Sequence, residues 1–358
     1  MQNVFWVVVS TIILIGVQIF LFGYLSMRKI TYRRYFTKSK LFEGEEMEMV
    51  EIIANNKLLP VPWILVESRV PKELSIVGVK QDLDVEGELY HRSAFTLSPY
   101  QQITRRHRVK CVSRGHYKAT SAVLTGGDLF GIARRTRNVE LESTITVYPA
   151  PVSAEDLPLP SLKWQGDLVV KRYIMPDVFL YGGIRDYAMG DAMKSIHWGA
   201  SAATGSLKVK QFDFTASPKL LIVLNMQPTE TVWGEVPMAE RPVMEEGIRL
   251  ATSIALHLLN NGIEVGFTTN GVRSDSSEDV YIEPSCSYEQ REVLLDCFAK
   301  LRIIRKHSFH QYLAVLPPFK EFDVLILTCY RSQLMDSVCA DIVTRGNSMD
   351  FYMLKEGA

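Results

Sequence analysis

No Lys, Arg, Asp or Glu occurs in the first 27 residues, and the segment from Val4 to Ser26 is almost uninterrupted in its apolar character. A run of this length crosses a hydrocarbon core of about 30 Å as a single α-helix. Trp6 and Tyr24 lie near its two ends, where amphipathic rings favour the interface, and Gln18 is the one strongly polar side chain inside it. Met1-Gln2-Asn3 supplies no basic n-region and no small-residue cleavage site follows, so the pattern predicts a retained anchor rather than a cleaved signal peptide.

From Leu41 to about Pro151 the period changes to two. Glu46, Met47, Glu48 and Met49 alternate, as do Arg108, Val109, Lys110 and Cys111, and Thr144, Ile145, Thr146 and Val147. Asn55-Asn56 and Arg114-Gly115 mark turns, and Pro60 and Pro62 flank the start of the run Trp63 to Ser68. No long helical pattern interrupts this region, which predicts an all-β sandwich whose two sheets bury their alternating faces against each other. Pro149, Pro151, Pro158 and Pro160 then break any regular element and mark a domain boundary.

Beyond residue 216 the pattern changes again. Lys219 to Asn225 is an apolar run that suits a strand covered on both faces. Met244, Ile248, Ala251, Ala255 and Leu258 follow at helical spacing up to Asn260-Asn261-Gly262. Ile263 to Thr269 reads as a strand, and Ser287 with Gln290 as a capping box opening a helix through Leu301. Asp323 to Cys329 is a second buried strand, followed by a helix from about Ser332 to Val343 and a last strand from Met349 to Lys355. Strands alternating with helices predict a parallel, doubly wound α/β sheet. The expected plan is an anchor at 1–27, a basic juxtamembrane segment at 28–40, a β-sandwich-like domain at 41–151, a linker segment at 152–215 and an α/β domain at 216–358.

Charge refines this plan. The 358 residues hold 40 Lys+Arg against 40 Asp+Glu, which argues against a nucleic-acid binder, since such proteins carry a basic excess to neutralise phosphates. The cations are unevenly spread, however. Arg28, Lys29, Arg33, Arg34, Lys38 and Lys40 directly follow the apolar span, and the positive-inside rule then predicts a single-pass cell-membrane protein with its later domains cytoplasmic. The cluster reads first as a topology determinant and second as a contact for anionic lipid. Arg105, Arg106, His107, Arg108, Lys110 and Arg114 form another basic run, either the charged solvent face of an edge strand or a stripe for an acidic partner. Five cysteines, an odd number with no C-x-x-C pair, suggest reduced thiols rather than a disulfide framework or zinc ribbon.

The segment from Gly183 to Phe214 is unusually dense in Gly, charge and aromatics. Gly183, Gly190, Gly199 and Gly205 permit tight turns, Arg185 can grip a carboxylate bidentately, Asp186 and Asp191 are candidate partners, and Tyr187, His197 and Trp198 offer large rings with polar handles. Gly183, Arg185, Tyr187, Gly190, Asp191, Lys194, Ile196, His197, Trp198, Ser201 and Ala202, then Leu207, Val209, Lys210 and Phe212, fall in one fixed register. This register resembles the signature of the bacterial and archaeal family known as domain of unknown function 58. Arg114 to Tyr117, Gly127 to Arg135 and Thr146 to Pro149 also fit it. The resemblance implies a membrane-anchored protein with a β-rich region, a C-terminal domain similar to a von Willebrand factor type A domain, and association with a MoxR-type AAA ATPase in assembly or chaperone-like work. Two departures are that many members carry two N-terminal membrane helices, and that Lys194 stands where Arg is commoner. Lys lacks the planar fork of Arg, so a bidentate contact there would weaken.

A functional type A domain holds a divalent cation with an Asp-x-Ser-x-Ser loop after its first strand. Here that place is taken by Asn225, Gln227 and Thr229, so the loop is a degenerate site and no metal or other cofactor is expected. Ser201, His197 and Asp191 could be assembled as a triad, but three residues of one loop seldom reach triad geometry, and no catalytic residue is assigned. His307 and His310 read as surface histidines. The signature has two readings: a lock in which Arg185 pairs with Asp191 and Trp198 is buried, or a surface for a partner. The expected function is a non-enzymatic, membrane-tethered adaptor, with a metal-dependent ligand-binding domain as the alternative and a hydrolase after it.

Overall fold

The structure, a computed structural model, describes residues 2–78, 82–83, 89–152, 176–188, 193, 196–214, 219–230 and 236–354. Helix α1 spans Gln2–Leu25. Among the described residues it is the one helix long and apolar enough to cross a membrane, over Val4–Leu25, and no residue of its most apolar window is buried. The chain divides into two compact units, Met1–Ala150 with Phe298–Lys300, and Pro151–Cys297 with Leu301–Ala358.

Among the described residues the first unit holds ten strands: β1 (Ile30–Phe36), β2 (Lys40–Phe42), β3 (Glu46–Asn55), β4 (Val61–Val70), β5 (Leu74–Ile76), β6 (Asp82–Leu83), β7 (Leu89–Leu97), β8 (Gln102–Cys111), β9 (Gly115–Gly127) and β10 (Arg134–Tyr148). They form a sheet ordered β1-β3-β8-β5 and another ordered β2-β10-β9-β4-β7-β6. Among the described residues, inward side chains of both sheets meet in two apolar clusters. One holds Ile30, Tyr32, Ile53, Ile64, Val66, Phe95 and Leu124, the other Met47, Met49, Val70, Leu74, Val109, Ile145 and Val147.

The first sheet begins earlier than charge alone suggests. Ile30, Tyr32 and Arg34 alternate inward along β1 against exposed Thr31, Arg33 and Tyr35, so the stretch expected to be a basic juxtamembrane segment is a core strand. Arg34 leaves the basic collar for the interior. The second basic run divides by parity: Arg106, Arg108 and Lys110 face solvent, whereas Arg105 and His107 turn inward. Arg105 lies 4.1 Å over the Phe95 ring. Strand β8 is a true edge only over its first part, because β5 pairs with just Val109 to Cys111.

The second unit opens with β11 (Pro176–Asp186), α2 (Trp198–Thr204) and β12 (Lys208–Phe214). It continues through β13 (Lys219–Leu224), α3 (Arg241–Asn260), β14 (Glu264–Thr269), β15 (Gly271–Arg273), β16 (Val280–Ser285), α4 (Tyr288–Lys300, its last three residues counted with the first unit), β17 (Leu301–Arg305), α5 (Phe309–Val315), β18 (Asp323–Thr328), α6 (Gln333–Thr344) and β19 (Ser348–Met353). The main sheet is ordered β16-β14-β13-β18-β19, with β14, β13, β18 and β19 parallel and β16 antiparallel at one edge. Leu221 and Val223 cluster with Phe309 and Leu313 of α5 and with Met335, Cys339 and Ile342 of α6. On the opposite face a Cβ built on Gly247 of α3 would lie 3.2 Å from Leu224. Helices therefore cover both faces, which is why β13 reads as a continuous apolar run. Ser287 caps α4 through the Gln290 N–H at 3.2 Å. The Gln290 amide does not reach back to close a box; it donates to the Val265 and Glu283 carbonyls at 2.7 and 2.8 Å. Helix α3 ends with Gly262, not an asparagine, in the left-handed conformation at φ +76°.

Candidate functional site

The signature segment folds as the antiparallel pair β11 and β12 with α2 between them. His197 caps α2: its Nδ1 accepts from the Ala200 N–H at 3.0 Å, while its own N–H donates to the Lys208 carbonyl at 2.8 Å. The Ser201 hydroxyl donates to the His197 carbonyl at 3.0 Å and accepts from the Lys208 N–H at 2.9 Å. Gly205 closes the helix in the left-handed region at φ +68°. Ile196 and Val209 are buried and bridge to each other. Both side chains that would serve as base and nucleophile hydrogen-bond the backbone in this arrangement, and Asp191, the third member of the triad, lies outside the described residues.

The lock differs from the one expected. Trp198 is 63% exposed, not buried, because the first turn of a two-turn helix pinned by His197 and Ser201 leaves the next side chain outside the fold. Arg185 is exposed and donates to the Asp186 carbonyl at 3.0 Å. Asp186 makes a strand-to-strand ion pair with Lys208 at 2.6 Å. Tyr187 is 38% exposed, and Ile184, Met193 and Leu207 are exposed too. Gly183 and Lys210 sit on the paired strands, across from Gln211 and Ile184 respectively. Gly190, Asp191 and Lys194 lie outside the described residues, so the Arg185–Asp191 pair does too.

The degenerate loop lies at the carboxyl ends of the parallel strands, next to the point where strand order reverses between β13 and β18, the usual crevice for a ligand in such sheets. Here the crevice is bridged. Asn225 donates to the Thr328 hydroxyl at 3.0 Å and accepts from the Gln227 N–H at 2.9 Å. Asn270 accepts from the Met226 N–H at 2.8 Å and donates to the His307 carbonyl at 3.2 Å. Gln227 donates to the Glu230 carbonyl at 2.8 Å and accepts from the Phe309 N–H at 3.2 Å, satisfying the first turn of α5 where Ser308 makes no side-chain cap. Asn225 and Gln227 are fully buried, and Thr229 is exposed and outside this clasp. The amide oxygens of Asn225, Asn270 and Gln227 each already accept a backbone N–H, and none carries charge. His307 precedes α5 and is exposed, 3.6 Å from Asp279.

Sequence reasoning missed a third constellation, a polar belt across the middle of the sandwich. Arg34 and Glu51 are cross-strand neighbours, 5% and 0% exposed. Tyr32 donates to Glu51 Oε1 at 2.7 Å and Ser93 to Oε2 at 2.9 Å. His107 Nε2 lies 3.2 Å and His91 Nε2 3.5 Å from Oε2, and Arg34 donates to Ser68. Burial pushes the Glu51 carboxyl up, but hydrogen bonds from His107, His91 and Tyr32 outweigh it and hold the group below the usual carboxylate range. Burial raises the Tyr32 phenol and lowers the Arg34 guanidinium. The ligand atoms of Glu51, His91 and His107 lie within 4.8 Å of one another, a spacing and donor set that could chelate a transition metal. Arg34 on the neighbouring strand is a buried cation coupled to Glu51 by charge alone, its Nε and Nη2 without a hydrogen-bond partner among the described residues, so a divalent ion would leave still more positive charge buried, and the belt is best read as a charge-coupled hydrogen-bond network around Glu51. The available signal was parity: Arg34 and Glu51 share the inward register of Tyr32 and of Met49 and Ile53.

No known family model matches the chain. It is 20% identical over 245 residues to the uncharacterized protein YeaD of Bacillus subtilis, a stretch covering 68% of this chain and 57% of that protein. The chain thus spans a little over half the length of that relative. Among solved structures, the CARDB domain of the PF1109 protein from Pyrococcus furiosus, in complex with di-metal ions, is 14% identical, with 32% of this chain and 96% of that one covered at a TM-score of 0.19. The PapD-like domain 7 of human CEP192 is 14% identical over 34% of this chain and 88% of that one, at 0.23. Likenesses this slight carry no argument about function.

Proposed function

We propose that this protein is a membrane-tethered, non-enzymatic adaptor whose soluble units face the cytoplasm, and that it works through protein–protein contact. One observation carries the reading: Trp198, Tyr187 and Arg185 are exposed on a hairpin and helix whose own polar side chains are spent on holding it rigid. Tryptophan, tyrosine and arginine are the residues that most often dominate binding energy, and a rigid support lowers the entropy lost on docking. The apolar, exposed α1 supports the anchor, and Arg28, Lys29 and Arg33 after it support the cytoplasmic orientation. Membership of the domain of unknown function 58 family is supported by the signature register. The type A-like character of the α/β unit is supported by its central first strand, its antiparallel edge and the position of the Asn225 loop. The partner class, a MoxR-type AAA ATPase, follows from the resemblance.

The test is affinity purification of the full chain from detergent-solubilised membranes, with and without ATP, and identification of co-eluting ATPases. The expected result is a AAA ATPase recovered with the parent and lost with Trp198→Ala at unchanged melting temperature. Recovery unaffected by Trp198→Ala and Tyr187→Ala would remove the signature surface from the reading, and repeated absence of any ATPase would remove the partner class.

A further inference from the structure

The turn joining β9 to β10 exposes three large apolar side chains in four residues: Leu129 at 62%, Phe130 at 63% and Ile132 at 66%. Its shape is built in. Asp128 is fully buried, and its carboxylate accepts from the Phe130 N–H at 3.2 Å and the Ala133 N–H at 2.7 Å. Its carbonyl accepts from the Trp63 indole at 2.8 Å and the Gly131 N–H at 3.2 Å. Gly131 takes the left-handed conformation at φ +70° that the turn requires. A hairpin tip organised from within has no need of apolar side chains on its outside, so their exposure asks for an outside partner.

Contacts with α1 show where the tip lies. Arg137 donates to the Ile30 carbonyl at 2.7 Å. One step towards the tip, a Cβ on Gly126 would sit 3.1 Å from the Met27 sulfur. At that same level Arg135, paired with Gly126, donates to the Gly23 carbonyl at 2.7 Å, and nearer the tip a Cβ on Gly23 would sit 2.9 Å from that of Ala133. Moving up the hairpin to its tip therefore means moving back along the chain into the apolar helix. Extended past Ala133, this progression puts residues 129–132 at the level of the turn of the span before Gly23, about 5 Å inside its end at 1.5 Å per residue. Around this level the guanidinium groups of Arg28 and Arg135 each lie 5.7 Å from the Tyr24 ring centre, and Arg134 follows the turn, exposed. Apolar tips below a basic and aromatic collar form the arrangement by which monotopic segments enter the headgroup and acyl boundary of an anionic leaflet.

We infer that the Leu129–Ile132 turn is a second membrane contact, inserted into the same leaflet from which α1 emerges, with its lipid partner an anionic phospholipid surface. The inference rests on the reading of α1 as membrane-spanning. Two attachment points fix an orientation that a lone helix followed by a swivel would leave free.

The full chain carrying Cys286→Ser and Phe130→Cys is labelled with an environment-sensitive fluorophore and reconstituted into phosphatidylcholine and phosphatidylglycerol bilayers, with or without a lipid bearing a nitroxide high on its acyl chain. Leu129→Cys serves as a second reporter, Phe20→Cys reports on α1, and Val112→Cys reports on the far end of β9. The Cys286→Ser parent, labelled in parallel, gives the background. Quenching of about twofold or more is expected at 130, 129 and 20, with none at 112, for a turn seated in the interface. Quenching at 20 with none at 130 or 129 would overturn the inference and leave the anchor standing. No quenching at any position would overturn both, and equal quenching at 112 would show the whole unit lying on the bilayer and refute the turn as the specific contact.

Discussion

Glutamine at position 51 tests the polar belt directly. Glu51→Gln keeps the shape and leaves an oxygen to accept from Tyr32 or Ser93, but it strips the counter-charge from Arg34, which is 5% exposed and donates to Ser68. Leaving a buried charge uncompensated costs about 3–5 kcal/mol, a large share of the 5–15 kcal/mol or so that holds a typical domain folded. Arg34→Met alone leaves an anion that retains its bonds to Tyr32, Ser93 and His107, and should cost less. The double variant Arg34→Met/Glu51→Gln removes both charges and should fall short of the sum of the singles by about 2 kcal/mol or more. Opening free energies come from hydrogen exchange at the β3 and β8 amides of the full chain in detergent. If the two single costs add to within about 0.5 kcal/mol, Arg34 and Glu51 are uncoupled and the charge-coupling account is wrong.

Acid should act through the same residue. Because the folded Glu51 carboxyl titrates below its usual range, its stabilisation is complete above the unfolded value of about 4.3 and is lost as pH falls through the folded one. Stability in Glu51→Gln should accordingly fall less steeply below about pH 5, and an equally steep profile would point to other carboxylates. Zinc added to the parent should raise the melting temperature by less than about 1 °C, whereas a rise of several degrees that disappears in His107→Ala would make the belt a metal centre. Asn225→Asp puts an anion in the fully buried clasp and discards the donor to Thr328, for a loss of about 2–4 kcal/mol; recovery of that loss in Mg²⁺ would show the loop still able to form a cation site. Gly23→Leu should lift α1 from Ala133 at a cost of about 1–3 kcal/mol, seen as faster hydrogen exchange around Arg135, and unchanged exchange there would deny that the helix is seated on the hairpin.

Periodicity made the elements legible because each has one dominant environment. The continuous apolar run of β13 follows from helices on both its faces, and the spacing from Met244 to Leu258 from the single stripe that α3 buries. Charge was less reliable, since Arg34 counts as a topology signal in the sequence and is a core residue in the fold. Trp198 is buried in only one of the two readings of the signature, the lock, and that one misplaces it for a related reason. A large ring in a dense motif is ordinarily an anchor, and only the short pinned helix shows that His197 and Ser201 do the anchoring. The amide clasp was visible as a degenerate loop, but its partners Asn270, Thr328 and Phe309 come from three separate elements and no spacing connects them. The Leu129–Ile132 turn could not be recognised without knowing that Asp128 satisfies it from inside.

The belt has one further effect on how the chain finds its fold. A strand that slips by one residue turns its apolar side chains to water, so hydrophobicity alone forbids that error. A slip by two keeps inside and outside correct, and in an evenly apolar sandwich it would cost little. Here a two-residue slip of β1 against β3 sets Arg34 opposite Met49 or Ile53 instead of Glu51 and strands a cation against a thioether or an alkyl chain. The pair works as a key cut for a single notch, excluding the misalignments to which the apolar pattern is blind. The hairpin of β9 and β10, and with it the turn beside α1, inherits its position from that choice.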